Sequence, residues 1–139
     1  AYRLVELKRF ADALQVPLNP QPAFFPVPAD PAALLIVAAS EREGQDAALD
    51  LAGRFGAAVW VEQRDIGDEA SGRAIVAEAG LPDDLHARAA VPEIAQRYAD
   101  YTQQALAAGV FGAPSYVVDG EIFWGQDRLG FLARRLQVG

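Results

Sequence analysis

Two short stretches near the end of this 139-residue chain have the residue types and spacing to hold a ligand. Ala113-Pro114 opens a β-rich run, and Trp124-Gly125-Gln126-Asp127 closes the next one. An X-Pro bond at a strand start restricts the residue before it and removes one backbone donor. Gly125 permits an unusual backbone turn. Gln126 and Asp127 read as beginning a helix, where unpaired N–H groups and the macrodipole favour an anion. Two backbone-rich ligand sites would then lie side by side. Each residue also has a plainer reading: Asp127 as a capping residue, Trp124 as a core aromatic.

The elements that must position these residues follow from local pattern. Asp119-Gly120 lies between two β-rich runs and predicts a hairpin over 115–124, followed by a C-terminal helix over roughly 126–137. Upstream, Leu4, Leu7, Ala11 and Leu14 recur at helical steps and predict a helix over 3–15. Residues 17–30 contain Pro17, Pro20, Pro22, Pro26 and Pro28 and read as an extended loop around Phe24-Phe25. Asp30 is the expected cap of a helix over 31–40, with Pro31 at its first position. Further helices are expected over 45–63, with a kink near Gly53 or Gly56, over 69–79 with Asp68 as cap and Gly80 as stop, after Pro82, and over 92–108.

The composition sets limits. The length is one domain's worth of chain. The net charge of −7 argues against nonspecific nucleic-acid binding and against acidic membranes. No apolar run approaches the roughly 20 residues of a membrane span. There is no cysteine, so no disulfide, thiolate metal site or Cys-x-x-Cys pair lies within these residues. His86 is the only histidine and reads as a surface residue; alone it makes neither a metal site nor a triad. Asp83-Asp84 reads as a solvated helix start. Ser40, Ser71 and Ser115 lack the setting of a hydrolase nucleophile, and no Gly-rich phosphate loop is present.

The string Val110-Phe111-Gly112-Ala113-Pro114-Ser115, with Trp124-Gly125-Gln126-Asp127-Arg128 after the hairpin, resembles the 2-hydroxychromene-2-carboxylate isomerase family. It is also similar to the kappa-class glutathione transferases, and both lie within the DsbA branch of the thioredoxin fold. The resemblance spans the chain and is specific in its C-terminal third. It implies an α/β, thioredoxin-like fold with a helical insertion. The chain is then a single domain, a helical block over about 1–109 followed by ββα over about 110–139. Two strands do not make an independently stable sheet. The expectation is therefore that the N-terminal βαβ unit is missing and that these residues are the C-terminal portion of a longer protein.

The resemblance further implies glutathione as cofactor and a small aromatic carboxylate as substrate, in a cytoplasmic enzyme that forms a homodimer. The peptide bond before Pro114 would be cis, offering the backbone of Ala113 to the cysteinyl part of glutathione. Trp124, Gly125, Gln126 and Asp127 would hold the γ-glutamyl end, its carboxylate on amides and its ammonium on Asp127. Phe24 falls where the family places an aromatic beside the substrate, although Phe25 or a plain core role fits equally. The implied reaction isomerises the chromene carboxylate to trans-o-hydroxybenzylidenepyruvate through a borrowed thiolate nucleophile. The family's thiolate-stabilising serine has no match here. It is expected upstream of Ala1, which leaves no catalytic residue in this chain. The alternatives are a kappa-like glutathione transferase, a DsbA-like disulfide oxidoreductase whose cysteines lie elsewhere, and a noncatalytic glutathione-binding fragment.

Overall fold

Helical periodicity gives way to alternation near residue 110, and the architecture follows that change. The structure, a computed structural model, describes residues 2–138. Its elements are α1 (Tyr2–Leu14), α2 (Asp30–Glu43), α3 (Gln45–Trp60), α4 (Glu69–Glu78), α5 (Leu85–Ala89), α6 (Pro92–Ala107), β1 (Ser115–Val118), β2 (Glu121–Trp124), a 3-10 turn (Gln126–Arg128) and α7 (Leu129–Leu136). They fall into two compact units, Ala1–Gln96 and Arg97–Gly139.

In the first unit, α2 packs on α3 and α5, and α3 on α4. The alanine-rich face of α2 is buried through Ala32, Leu35, Ala38 and Ala39, against Leu51, Phe55 and Ala58 of α3. Small side chains on α2 allow close helix approach, and larger ones on α3 fill the space. Leu85 and Ile75 complete this core. Two ion pairs tie α5 and its lead-in to α2: Arg42 to Asp84 at 2.7 Å and Arg88 to Glu41 at 3.2 Å. The Pro-rich loop is pinned to the end of α3. The Asn19 amide donates to the Trp60 carbonyl at 2.7 Å, and the Ala23 amide to Gln63 Oε1 at 2.6 Å.

Caps explain most helix ends. Asp68 accepts from the Ser71 amide at 2.9 Å, as expected of an N-cap. Gly80 (φ 71°) closes α4, with its amide bonded to Ala77 and that of Leu81 to Val76. Three local expectations are corrected. Asp30 does not cap α2: Ala29 already has helical angles and stands at the cap, so Asp30 and Pro31 fall in the first turn. No kink interrupts the secondary structure of α3, which runs through Gly53 and Gly56 to Trp60. His86 is half-buried rather than fully on the surface. Its ring nitrogens are closed to solvent, with Nε2 packed beside α4, 3.7 Å from where a Cβ at Gly72 would sit.

The second unit holds most of α6 and a hairpin with a helix on it. β1 and β2 pair antiparallel, Ser115 opposite Trp124 and Val118 opposite Glu121. Asp119 and Gly120 both have positive φ, 51° and 80°, the geometry of a two-residue turn matched to strand twist. α7 lies against β2, and Phe123 and Leu132 are its buried side chains. Among the described residues the sheet has these two strands alone. No helix is long and apolar enough to cross a membrane.

Two stability predictions arise from these contacts. Asp68→Ala leaves the Ser71 amide unpaired and lowers unfolding free energy by about 1 kcal/mol in urea titration; no change would mean the cap is dispensable. Arg64 bridges Glu62 and Glu78 at 3.2 and 2.9 Å. Hydrogen bonding from Arg64 holds the Glu78 carboxyl below its ordinary range, with charge attraction assisting. A depressed folded value means this contribution is present above the ordinary carboxylate range and lost as pH falls through the folded value. Glu78→Gln therefore flattens part of the acid-side fall in urea midpoint between about pH 6 and about pH 3.

Candidate functional site

The hairpin brings the two chemistry-bearing stretches together. Their link is a hydrogen bond from the Gly125 amide to the Pro114 carbonyl, 2.9 Å long, one step beyond the Ser115–Trp124 pair. Ala113-Pro114 is cis, as the resemblance implies. Ala113 is exposed, and its N–H and C=O have no hydrogen-bond partner among the described residues. These groups point to extended-peptide pairing, since a strand-like ligand supplies the complementary donor and acceptor. Just upstream, the Ser115 hydroxyl donates to the Gly112 carbonyl, which fixes the approach to the proline.

Trp124 is not a core aromatic. It is 52% exposed and stands edge-on to Phe111, ring centroids 5.2 Å apart. Its indole lies over Gly112: a Cβ there would sit 2.7 Å from Trp124 Nε1. Glycine at 112 is thus required by the indole above it, not by its own φ.

Gly125 has φ 103°, a conformation L-residues rarely adopt. It also leaves room for Asp127, whose Oδ1 would lie 2.6 Å from a Cβ at 125. The expected helix start is corrected here. Residues 126–128 form a 3-10 turn, closed by the Arg128 amide on the Gly125 carbonyl at 3.1 Å, and α7 begins only at Leu129. The reason is Arg128, whose φ −105° and ψ 1° interrupt helical geometry. The Gln126 and Asp127 amides remain without an acceptor outside their own turn, so the donors persist while the macrodipole beneath them is short.

Asp127 is exposed and does not serve as a side-chain cap. Its Oδ2 pairs with Arg128 at 2.7 Å. Arg128 stands in the same string, but only the 3-10 turn shows its guanidinium folded onto Asp127. Beyond it, Trp124, Arg128, Phe131 and Arg134 line an open groove of about 670 Å³, with the Arg134 guanidinium 4.7 Å above the Phe131 ring.

Phe24 belongs to the first unit and is 44% exposed, so it does not plug the core. Its neighbour Phe25 packs on Trp60 at 4.8 Å between centroids. No cluster of potential metal ligands occurs among the described residues. Asp83 and Asp84 serve as ion-pair partners of Arg73 and Arg42.

Residues 1–137 match the family model of the DsbA-like thioredoxin domain. Over 130 residues the chain is 32% identical to 2-hydroxychromene-2-carboxylate isomerase of Sphingobium xenophagum, covering 93% of this chain and 64% of that protein. A solved structure of selenomethionine 2-hydroxychromene-2-carboxylate isomerase superposes with a TM-score of 0.80 at 25% identity, covering 98% of this chain and 64% of the other. The chain thus spans about two-thirds of the length of these relatives.

Gly112→Val would drive a side chain into the Trp124 indole. In a Trp60→Phe background, where Trp124 is the sole fluorophore of its kind, the expected result is a shifted emission maximum with little loss of helical circular dichroism. An unchanged spectrum would show that the indole does not rest on Gly112.

Proposed function

The chain belongs to the DsbA-like thioredoxin domain family, and from that membership we propose that it takes part in a glutathione-dependent isomerisation of 2-hydroxychromene-2-carboxylate to trans-o-hydroxybenzylidenepyruvate. The observation that carries this reading is the pairing of open main-chain groups at Ala113 with the charged Asp127–Arg128 turn at the same end of one hairpin. A γ-glutamyl tripeptide is peptide-like in its middle and zwitterionic at one end, and this pairing matches both features. The similarity to the Sphingobium isomerase supports the choice of reaction.

In this reading the Ala113 backbone pairs with the cysteinyl unit. The Gln126 and Asp127 amides, with Arg128, take the α-carboxylate, and Asp127 takes the α-ammonium. The exposed Asp127–Arg128 pair exchanges one solvent-screened contact for two, so ligand capture costs little of the existing structure. Trp124 walls the cleft, and Gly125 keeps Asp127 close to the strand end. When bound, glutathione supplies the thiolate nucleophile; no residue of this chain is assigned to its activation. The absence of cysteine leaves no Cys-x-x-Cys within these residues to support a disulfide-exchange reading.

Calorimetric titration with glutathione tests the cradle, and the absorbance change of the chromene carboxylate with and without glutathione tests the reaction. Asp127→Asn should weaken glutathione about tenfold, the effect of one lost charge-assisted bond, and leave the melting temperature near wild type. Wild-type affinity in that variant would remove Asp127 from the site. Conjugation of a chlorinated nitrobenzene without turnover of the chromene would replace the isomerase by a kappa-like transferase.

A further inference from the structure

A second cavity lies in the first unit, outside the residues so far assigned to glutathione or substrate. It holds about 330 Å³, at the lower end of the roughly 300–1,000 Å³ of small-molecule sites. Its walls are largely apolar, with Leu34, Leu35, Ile66 and Ala89 contributing, and Gly72 and His86 form part of the wall. His86 is the anomaly. Neither ring nitrogen has a hydrogen-bond partner, and both are closed to solvent. Buried polar atoms without partners are uncommon in folded proteins, and a ring in this state calls for an explanation. Gly72 offers it no polar group: Nε2 packs in ordinary contact, 3.7 Å from where a Cβ at 72 would sit.

We propose that this cavity binds a small neutral molecule with an apolar body and one hydroxyl group, such as a phenol, whose hydroxyl pairs with the His86 imidazole. The apolar walls set the body of the ligand. The imidazole sets its polar end, since an uncharged ring offers one donor and one acceptor and a hydroxyl answers either. Carboxylates are disfavoured. Asp68 and Glu69 line the same cavity, and an added negative charge there meets two others, a modest repulsion because both carboxylates are exposed. Because both ring nitrogens are closed to solvent, ligand pairing requires a rotation of the half-buried His86 side chain that turns one of them into the cavity. The site stands apart from the glutathione reading and survives if that reading fails.

His86 is the single histidine of the chain, so its ring gives one unambiguous set of imidazole signals. Phenol titrated into the 139-residue protein should shift those signals saturably, while benzoate leaves them in place. Gly72→Leu fills the cavity and should abolish the phenol response. His86→Leu should weaken phenol about tenfold, the worth of one neutral hydrogen bond, but leave toluene affinity within about twofold, both measured by ligand-detected NMR. That variant should also melt no lower than wild type, because an apolar side chain replaces unpaired polar atoms. Equal phenol binding by wild type and His86→Leu, or no saturable shift in the wild type, would overturn the proposal.

Discussion

The hydrogen bond from the Gly125 amide to the Pro114 carbonyl is the constraint on which the hairpin site depends. It extends the strand ladder by one step at the open end and fixes which residues of the two stretches face each other. Strand side chains alternate with a period of two, so a one-residue slip would turn Trp124 to the opposite face of the sheet. Gly112 would then have no indole above it, and Phe111 no edge contact. The turn at 126–128 would swing with the strand end. Register at one pair, Ser115 opposite Trp124, therefore sets the positions of Ala113, Gly125, Asp127 and Arg128 together.

The two units treat their unpaired polar groups differently. At Ala113 the main-chain donor and acceptor are exposed, and water can satisfy them at little cost until a ligand replaces it. At His86 the ring nitrogens are enclosed, and water cannot help. The first arrangement suits a polar, extended partner that exchanges with solvent. The second suits a partner that is mostly apolar and carries its own polar group inward.

Electrostatics is local in both places. The chain is net acidic, yet its arginines are distributed as short bridges: Arg42 and Arg88 across α2 and α5, Arg64 between the end of α3 and α4, Arg135 from α7 to Asp119 at the hairpin turn. These exposed pairs orient elements more than they stabilise them. Under the proposed function, an anionic ligand at the hairpin would be met by particular amides and by Arg128, not by the overall field, which opposes it.

The sequence by itself determined the elements and their order. Proline positions marked the loop after α1. Asp68 and Gly80 marked the ends of α4, and Asp119-Gly120 the hairpin. These are short-range signals: a φ angle or a missing N–H is dictated by the residue itself, wherever it lies in the fold. The string around Ala113 and Trp124 likewise marked the two stretches that the hairpin brings together. Tertiary structure decided the rest. Trp124 could be core or cleft until strand pairing placed it over Gly112 and left it half exposed. The 3-10 turn replaced a plain helix start because Arg128 leaves helical angles and its amide closes back on the Gly125 carbonyl. His86 became half-buried, with its ring nitrogens enclosed, because it packs beside Gly72, fourteen positions earlier and on another helix. No local pattern carries such information, since burial depends on which distant residues a side chain meets and not on its own conformational preference.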